Sequence, residues 1–351
     1  MRINTINLPH LILRPKREEQ EVEFSQFYNF LESRQVKKSP LLPVKELKIN
    51  LHDSTVLRGE DFFTFSSEGI AAILSLGGIT SPGIMRNFED QDETEDYFGL
   101  FNDLVNTKLA ASKKKVHLMY MEDNESKTMT GVCSKFYSHV ENAKLVEDVR
   151  QQLDSDEYSF NNGIYYPNGN IRFSFVKNLN RMVVDQPCKV GINFSNGDQS
   201  TGCAMKVGIY WEVLVCSNGM TSSVGENSFS ISHRNLEMSN VMDRLRLLTE
   251  NEVAMSNSFE EVGLLKSTPR TFSTIKPRLI ETVGREKTKE FEENFEIDFS
   301  RRENNYWSLI NQVTALEWEI NKLSSSYVRK SSILHTIGGD MLENPSHYYA
   351  E

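Results

Sequence analysis

The sequence predicts an α+β protein: a central antiparallel sheet over about residues 160–234, helices packed on it, and a helical C-terminal third. Three observations predict it. From Asn161 to Ser232, β-branched and aromatic runs are punctuated by Gly and Asn. After Leu236, apolar residues recur at helical spacing. A hydrophobic content of 38% with 10% aromatics supplies a core for 351 residues, and no run approaches the ~18–20 apolar residues of a membrane helix.

In order, residues 1–43 predict an N-terminal arm, in which Pro9, Pro15, Pro40 and Pro43 interrupt a mildly basic stretch holding one helix near Gln20 to Leu31. Such an arm either reaches a neighbouring subunit or stays a partly disordered tail. Leu47 to Leu51 and Asp61 to Phe65 predict strands flanking a turn near Arg58 and Gly59. Ser66 is placed to cap the apolar helix that runs to Leu76 and stops at Gly77 and Gly78. Ser81 and Pro82 begin another short helix, because Pro fits the first helical turn. Residues 89–96 are acidic but lack calcium-loop spacing, which favours a solvated loop over a cation site before a helix from Phe98 to Ala111.

Lys113, Lys114 and Lys115 lead into a hairpin of Val116 to Met121 and Thr128 to Cys133 around Asp123, Asn124 and Glu125. A helix from Ala143 to Leu153 follows. The sheet is expected from Asn170 to Val176, Met182 to Asp185, Cys188 to Asn193, Val207 to Cys216 and Ser228 to Ser232. Helices from Leu236 to Met255, Phe272 to Arg285 and Tyr306 to Leu323 complete the core, the last with one apolar stripe. The expected organisation is an arm over 1–43, an α+β domain over 44–323 that is either one large unit or two intimate subdomains over 44–155 and 156–323, and a flexible tail over 324–351.

No G-x-x-x-x-G-K-S/T, G-x-G-x-x-G, H-E-x-x-H or G-x-S-x-G motif occurs, which favours a binding protein over an enzyme and implies no cofactor. Four widely spaced cysteines and seven unclustered histidines give no metal site and no nucleophile–base pair. With no membrane segment, the chain is expected in the cytoplasm. The net charge of -10 argues against a surface wholly coated by nucleic acid. Within 160–220, however, Arg172, Lys177, Arg181, Lys189 and Lys206 outnumber Asp185, Asp198 and Glu212.

Three local patterns offer chemistry beside a plainer structural alternative. Ser217, Asn218 and Gly219 end an apolar strand, either as a tight turn or as a nest of N–H groups for a phosphate. Alternation sends Ser230, Ser232 and Arg234 to one face and Ile231 and His233 to the other, which suits phosphate contacts or a solvated edge. Trp307, Asn311, Thr314 and Trp318 form a second helical stripe that either stacks bases or packs on another helix.

These segments resemble the phage and plasmid family catalogued as domain of unknown function 932. In that family a strand ending in Cys-Ser/Thr-Asn-Gly, here Cys216 to Gly219, precedes a His-Arg or His-Thr pair, here His233 and Arg234. A late Trp-x-x-hydrophobic-Asn-x-Val-Thr helix appears as Trp307 to Thr314, although Gln312 replaces the usual Ala and the family's following His is missing. Gly78 to Pro82 and Gly131 to Tyr137, with its Ser-x-x-Tyr, are similar too, so the resemblance covers roughly residues 44–323. It implies a mobile-element origin, in the host cytoplasm if phage-encoded, among genes where annealing and DNA-protecting proteins are common.

The leading expectation is a non-enzymatic, ATP-independent protein that binds single-stranded DNA as a homo-oligomer. Arg172, Lys177, Arg181, Arg234, His233 and Lys113 to Lys115 would line the interface, and the turn at Ser217 to Gly219 would add backbone donors. The rivals are a protein-interaction or anti-defence factor that uses its acidic surface on a host protein, and a hydrolase assembled from residues distant in sequence.

Overall fold

The computed structural model describes residues 11–13, 20–51, 53–59, 61–79, 95–123, 126–153, 157–166, 169–178, 181–183, 186–198, 204–213, 218–221, 228–263, 265, 269–301, 306–320 and 327–348. The chain begins with β1 (Leu11–Leu13), α1 (Gln20–Glu32), β2 (Val36–Lys38), β3 (Leu42–Pro43), β4 (Leu47–Asn50), β5 (Thr55–Arg58) and β6 (Asp61–Phe65). Next come α2 (Ser67–Leu76), α3 (Glu95–Ala110), β7 (Lys115–Glu122), β8 (Lys127–Cys133) and α4 (Asn142–Gln152). Strands β9 (Tyr158–Tyr165), β10 (Asn170–Lys177), β11 (Arg181–Val183), β12 (Gln186–Gly197), β13 (Met205–Val213), β14 (Asn218–Thr221) and β15 (Ser228–Ile231) follow. The helical third holds α5 (Met238–Gly263), α6 (Pro269–Val283), α7 (Arg285–Arg301), α8 (Tyr306–Ala315), a 3-10 turn (Leu316–Glu319), α9 (Tyr327–Glu343) and α10 (Pro345–Tyr348).

The protein is α+β, but two sheets organise it where one central sheet was expected. The smaller has the order β2-β7-β8-β6-β5-β4 with β3 also on β7, and its β6–β8 pair is parallel. The larger has the order β1-β9-β10-β12-β13-β14, with β11 on β12 and β15 on β13, and its described pairs are all antiparallel. It fills the expected span of about 160–234 and gains β1 from the N-terminus.

In the smaller sheet, Ser66 caps α2 as the sequence predicts, its hydroxyl accepting from Gly69 N–H at 3.1 Å. Ile70, Ile73 and Leu74 of α2 and Phe101, Val105 and Leu109 of α3 cover one core with Leu47, Ile49 and Val56. The Asn106 carboxamide of α3 binds both Ile49 N–H (2.8 Å) and Ile49 C=O (3.0 Å), so the last strand of the sheet does not present a bare edge there. Cys133 is buried beside Met119 Sδ at 3.5 Å, and burial pushes its thiol up to about 11, an inert packing role. The helix expected at Ser81 and Pro82 and the acidic run as far as Glu93 lie outside the described residues.

The described side chains of β9, β10 and β12 are mostly buried on both faces, which is why these strands are so rich in apolar residues. On β10, Phe175 faces α1, with its ring 6.2 Å from Phe24, and Phe173 stacks on its cross-strand partner Phe194 at 4.8 Å. Arg172, on the opposite face by alternation, meets α9 instead. Helix α1 lies so close to β9 that a Cβ on Gly163 would sit 2.8 Å from the Phe27 ring. Helix α1 of the expected arm therefore packs on its own chain and belongs, with α4, to the larger core, while β2 and β3 join the smaller sheet.

Within the tail expected over 324–351, the described residues 327–348 form α9 and α10 instead. Leu334, Ile337, Met341 and Leu342 are buried, Tyr306 Oη donates to Met341 C=O at 2.9 Å, and Arg278 pairs with Asp340 at 2.8 Å. Ser331 and His335, two of the polar residues that made this stretch look loose, are instead buried polar partners, whereas Ser346 and His347 are exposed. Likewise α4 packs with the larger core although its residues precede 155, so the two cores do not divide the chain at that point. Among the described residues, no helix is long and apolar enough to cross a membrane.

Candidate nucleic-acid interface at the seam between the sheets

Two connecting segments carry the seam. Residues 134–141 leave β8 of the smaller sheet for α4, and residues 232–237 leave β15 of the larger sheet for α5. They meet as an antiparallel bridge between Tyr137 and Arg234. Ser138 N–H donates to His233 C=O at 2.6 Å and Asn235 N–H to Phe136 C=O at 3.0 Å. Asn235 takes a left-handed φ of 53°, which Asn tolerates because its short side chain can bond locally. Lys38 Nζ of β2 donates to Tyr137 C=O at 2.7 Å, so the smaller sheet grips the same strap.

The Tyr137 ring stacks on His233 with centroids 5.1 Å apart, and Tyr137 Oη donates to Gly197 C=O at 3.1 Å. His233 Nδ1 lies 3.1 Å from Ser138 C=O. A carbonyl only accepts, so Nδ1 carries the proton. His233 is 5% exposed. It holds the seam and is closed to a phosphate, contrary to the expected contact.

Beneath the strap lies a buried polar group. Asn196 Nδ2 donates to Asn142 Oδ1 (2.8 Å) and Val140 C=O (3.2 Å), and Asn142 Nδ2 donates to Gly169 C=O (3.0 Å). Burial raises the Asp198 carboxyl well above the usual range, although it accepts from Asn142 N–H at the start of α4. Burial also drives His139 down to about 4 and lowers His233. His139 Nε2, His233 Nε2, Asn196 Oδ1 and Asp198 Oδ1 are buried without a hydrogen-bond partner among the described residues. No group of three His, Cys, Asp or Glu among them could hold a metal ion.

Above the strap the surface is basic and aromatic. Phe136 is 44% exposed, with Lys135 Nζ 4.8 Å and Arg234 Cζ 5.3 Å from its ring centroid. The β7–β8 register pairs His117 with Cys133, which puts exposed Lys113, Lys114 and Lys115 at the same end of the ladder as Lys135. Ser230, Ser232 and Arg234 are all exposed, as alternation predicts, while His233 turns inward. Past Ser232 a groove of about 490 Å³ opens between β15 and α5, lined by Ser230, Ile231, Ser232, Asn240, Asp243 and Arg244.

The remaining candidates sit elsewhere. Arg172 is drawn into the interior: Nη2 lies 2.6 Å from His335 Nδ1, Nη1 lies 3.5 Å from Ser331 Oγ, and Nε bonds the Asn193 carboxamide. A guanidinium only donates, so His335 accepts at Nδ1 and donates from Nε2 to Glu317 Oε2 at 2.7 Å, while Ser331 donates to Glu317 Oε1 at 2.9 Å. This lock ties β10 to α9 and removes Arg172 from any phosphate track. Lys177 stands 4.0 Å from Glu157 and over the Tyr158 ring at 5.5 Å. Arg181 pairs in β11 opposite Cys188, and its side chain lies outside the described residues, as does Ser217.

Asn218 and Gly219 are ladder partners of Val213 and Glu212 in β14, a strand rather than a phosphate nest. Trp307 (1% exposed) and Thr314 (0%) are core residues of α8, and Thr314 Oγ1 donates to Ile310 C=O at 3.2 Å. Asn311 is half-buried on the same helix. Helix α8 packs against β14 as a structural contact rather than as a base-stacking stripe. The resemblance-bearing segments thus fall into two neighbourhoods, 131–137 with 233–234 at the seam and 218–219 with 307–314 in the core.

Sequence reasoning missed Phe136 with Lys135, and it missed Asn240, Asp243 and Arg244. The signal for the first was a Lys-Phe pair just past a strand end. For the second it was a polar i, i+3, i+4 face opening a helix. No protein family, curated protein or solved structure matches the chain.

Proposed function

We propose that the seam binds single-stranded nucleic acid without ATP, in an annealing or strand-protecting role suited to a mobile element. One observation carries the reading: exposed Phe136 has the cations of Lys135 and Arg234 at 4.8 Å and 5.3 Å from its ring centroid. An exposed ring offers a face to any base, and flanking cations follow the backbone, which is how sequence-tolerant strand binders work. Lys113, Lys114 and Lys115 extend the positive track along the ladder end.

Fluorescence anisotropy with a labelled thymidylate oligomer of about 20 nucleotides tests it. If the five cations each meet a phosphate, log affinity falls against log salt with a slope of roughly -3.5. Phe136→Ala should cost about 1–3 kcal/mol, the loss of one stacked base, with the slope unchanged. Absence of binding at low salt, or binding insensitive to salt, sinks the proposal.

A second reading, a protein interface, draws on a different surface. Leu57 and Phe62 stand opposite each other on β5 and β6, 39% and 54% exposed, an apolar pair open to water. Light scattering that finds self-association abolished by Phe62→Ser would favour it.

A further inference from the structure

We infer that the groove between β15 and the first turns of α5 is a nucleotide subsite that selects guanine, an inference that rests on the strand-binding reading above. Its volume of about 490 Å³ falls within the usual range for small-ligand sites. Asn240, Asp243 and Arg244 occupy positions i, i+3 and i+4, one face of α5. Ser230, Ile231 and Ser232 of the β15 end line the facing side.

None of the Ser230, Ser232, Asn240 or Asp243 side chains has a hydrogen bond or ion pair among the described residues. The Arg244 guanidinium lies over the Phe229 ring, Cζ 5.6 Å from its centroid, and its N–H donors have no hydrogen-bond acceptor among the described residues. Asp243 and Arg244 are neighbours in sequence and diverge around the helix, so they form no ion pair with each other. The groove therefore presents a guanidinium, two hydroxyls, a carboxamide and a carboxylate whose hydrogen bonding is uncommitted among the described residues.

This set divides by chemistry. Arg244 with two hydroxyls suits a phosphate. A carboxylate beside them would repel a bare phosphate, so Asp243 indicates that a base enters as well. Asp243 can accept two parallel N–H bonds, and guanine is the base with adjacent N–H donors, N1–H and the N2 amino group. Next to them guanine carries the O6 acceptor, which Asn240 Nδ2 can meet. Adenine and cytosine set a ring-nitrogen lone pair beside their amino group, and thymine flanks its one N–H with two carbonyls. Each of these turns an acceptor toward the carboxylate.

The groove also continues the track. Ser232 lies two residues from Arg234, roughly 7 Å at the rise of a strand, so a strand stacked on Phe136 reaches the groove with its next nucleotides.

The test compares an all-thymine oligomer with the same oligomer carrying one central guanine or one inosine, which lacks the N2 amino group. Anisotropy measures binding to wild type and Asp243→Asn. In parallel, saturation-transfer NMR compares the mononucleotides GMP, AMP, CMP and TMP on both proteins. The expected result is about tenfold tighter binding of the guanine oligomer, most of it lost with inosine and all of it with Asp243→Asn, whose all-thymine affinity stays at the wild-type level. GMP alone should give a strong signal, abolished by the same substitution.

Strand binding without guanine preference, and without an Asp243-dependent GMP signal, overturns the subsite and leaves the strand reading standing. An Asp243-dependent GMP signal with no oligomer binding keeps the subsite and overturns the strand reading. Silence in both arms overturns both.

Discussion

Acidifying the protein from about pH 7.5 to about pH 5 should weaken it through one imidazole in particular. His139 lies under the strap with Nε2 buried and unpartnered, and burial, with smaller pushes from Lys38 and His233, takes its pKa from 6.5 to about 4. In the unfolded chain the imidazole regains its ordinary pKa, so between about 6.5 and 4 the unfolded state binds the proton first. The contribution to stability is whole above that window, declines as the pH falls through it, and is fully lost below about 4. At roughly 1.4 kcal/mol per unit, the full loss is about 3 kcal/mol, of which about 2 kcal/mol has gone by pH 5.

Asp198 acts with the opposite sign. Its raised pKa means the folded state holds its proton to higher pH, so acid relieves the cost of burying it. The raw pH dependence is therefore a sum, and the comparison with His139→Gln isolates the imidazole. Urea unfolding followed by circular dichroism at both pH values should show wild type losing about 2 kcal/mol more than the variant. Equal losses would refute the account of His139 as a neutral, dry imidazole.

Two further outcomes concern the larger core. A Cβ on Gly191 would lie 1.9 Å from Phe175 O and 2.5 Å from Val176 Cα, both backbone, so Gly191→Ala should cost more than about 3 kcal/mol; a melting temperature within about two degrees of wild type would contradict the close β10–β12 approach. His335→Ala leaves the buried Glu317 carboxylate without its imidazole donor and should cost about 3–5 kcal/mol in urea unfolding, whereas Glu317→Gln, which keeps an acceptor oxygen for His335, should cost less.

Local features were the legible ones. The Ser66 cap, the helix near Gln20 and the 115–133 hairpin follow from rules that act within a few residues, and the structure has them. The two-sheet arrangement was hidden because it turns on a parallel β6–β8 pair and on α1 returning to β9, contacts that no local period encodes. Arg172 shows the same limit. Alternation placed it on the face of β10 opposite Phe175, yet only the packing of α9 reveals that this face is interior. The stretch 327–348 looked loose because Ser331 and His335 are polar, and their partners Glu317 and Arg172 lie 14 and 163 residues away. Phe136 was passed over for the converse reason, since an aromatic beside a strand is normally core.

On the proposed reading, the net charge of -10 limits where a strand binds rather than whether it binds. At about 0.1 M salt the screening length is roughly 10 Å, so a phosphate over Phe136 responds mainly to charges within that radius. There it meets Lys135 and Arg234 at ring-contact distance, with Lys113, Lys114 and Lys115 at the same ladder end. The acidic remainder of the surface is screened from the bound strand, yet it repels polyanions that approach elsewhere. Both flanking cations come from the two segments that form the Tyr137–Arg234 bridge, one from each sheet's exit. The aromatic–cation constellation consequently exists only while the two sheets stay joined, a junction that includes the stack of His233 on Tyr137.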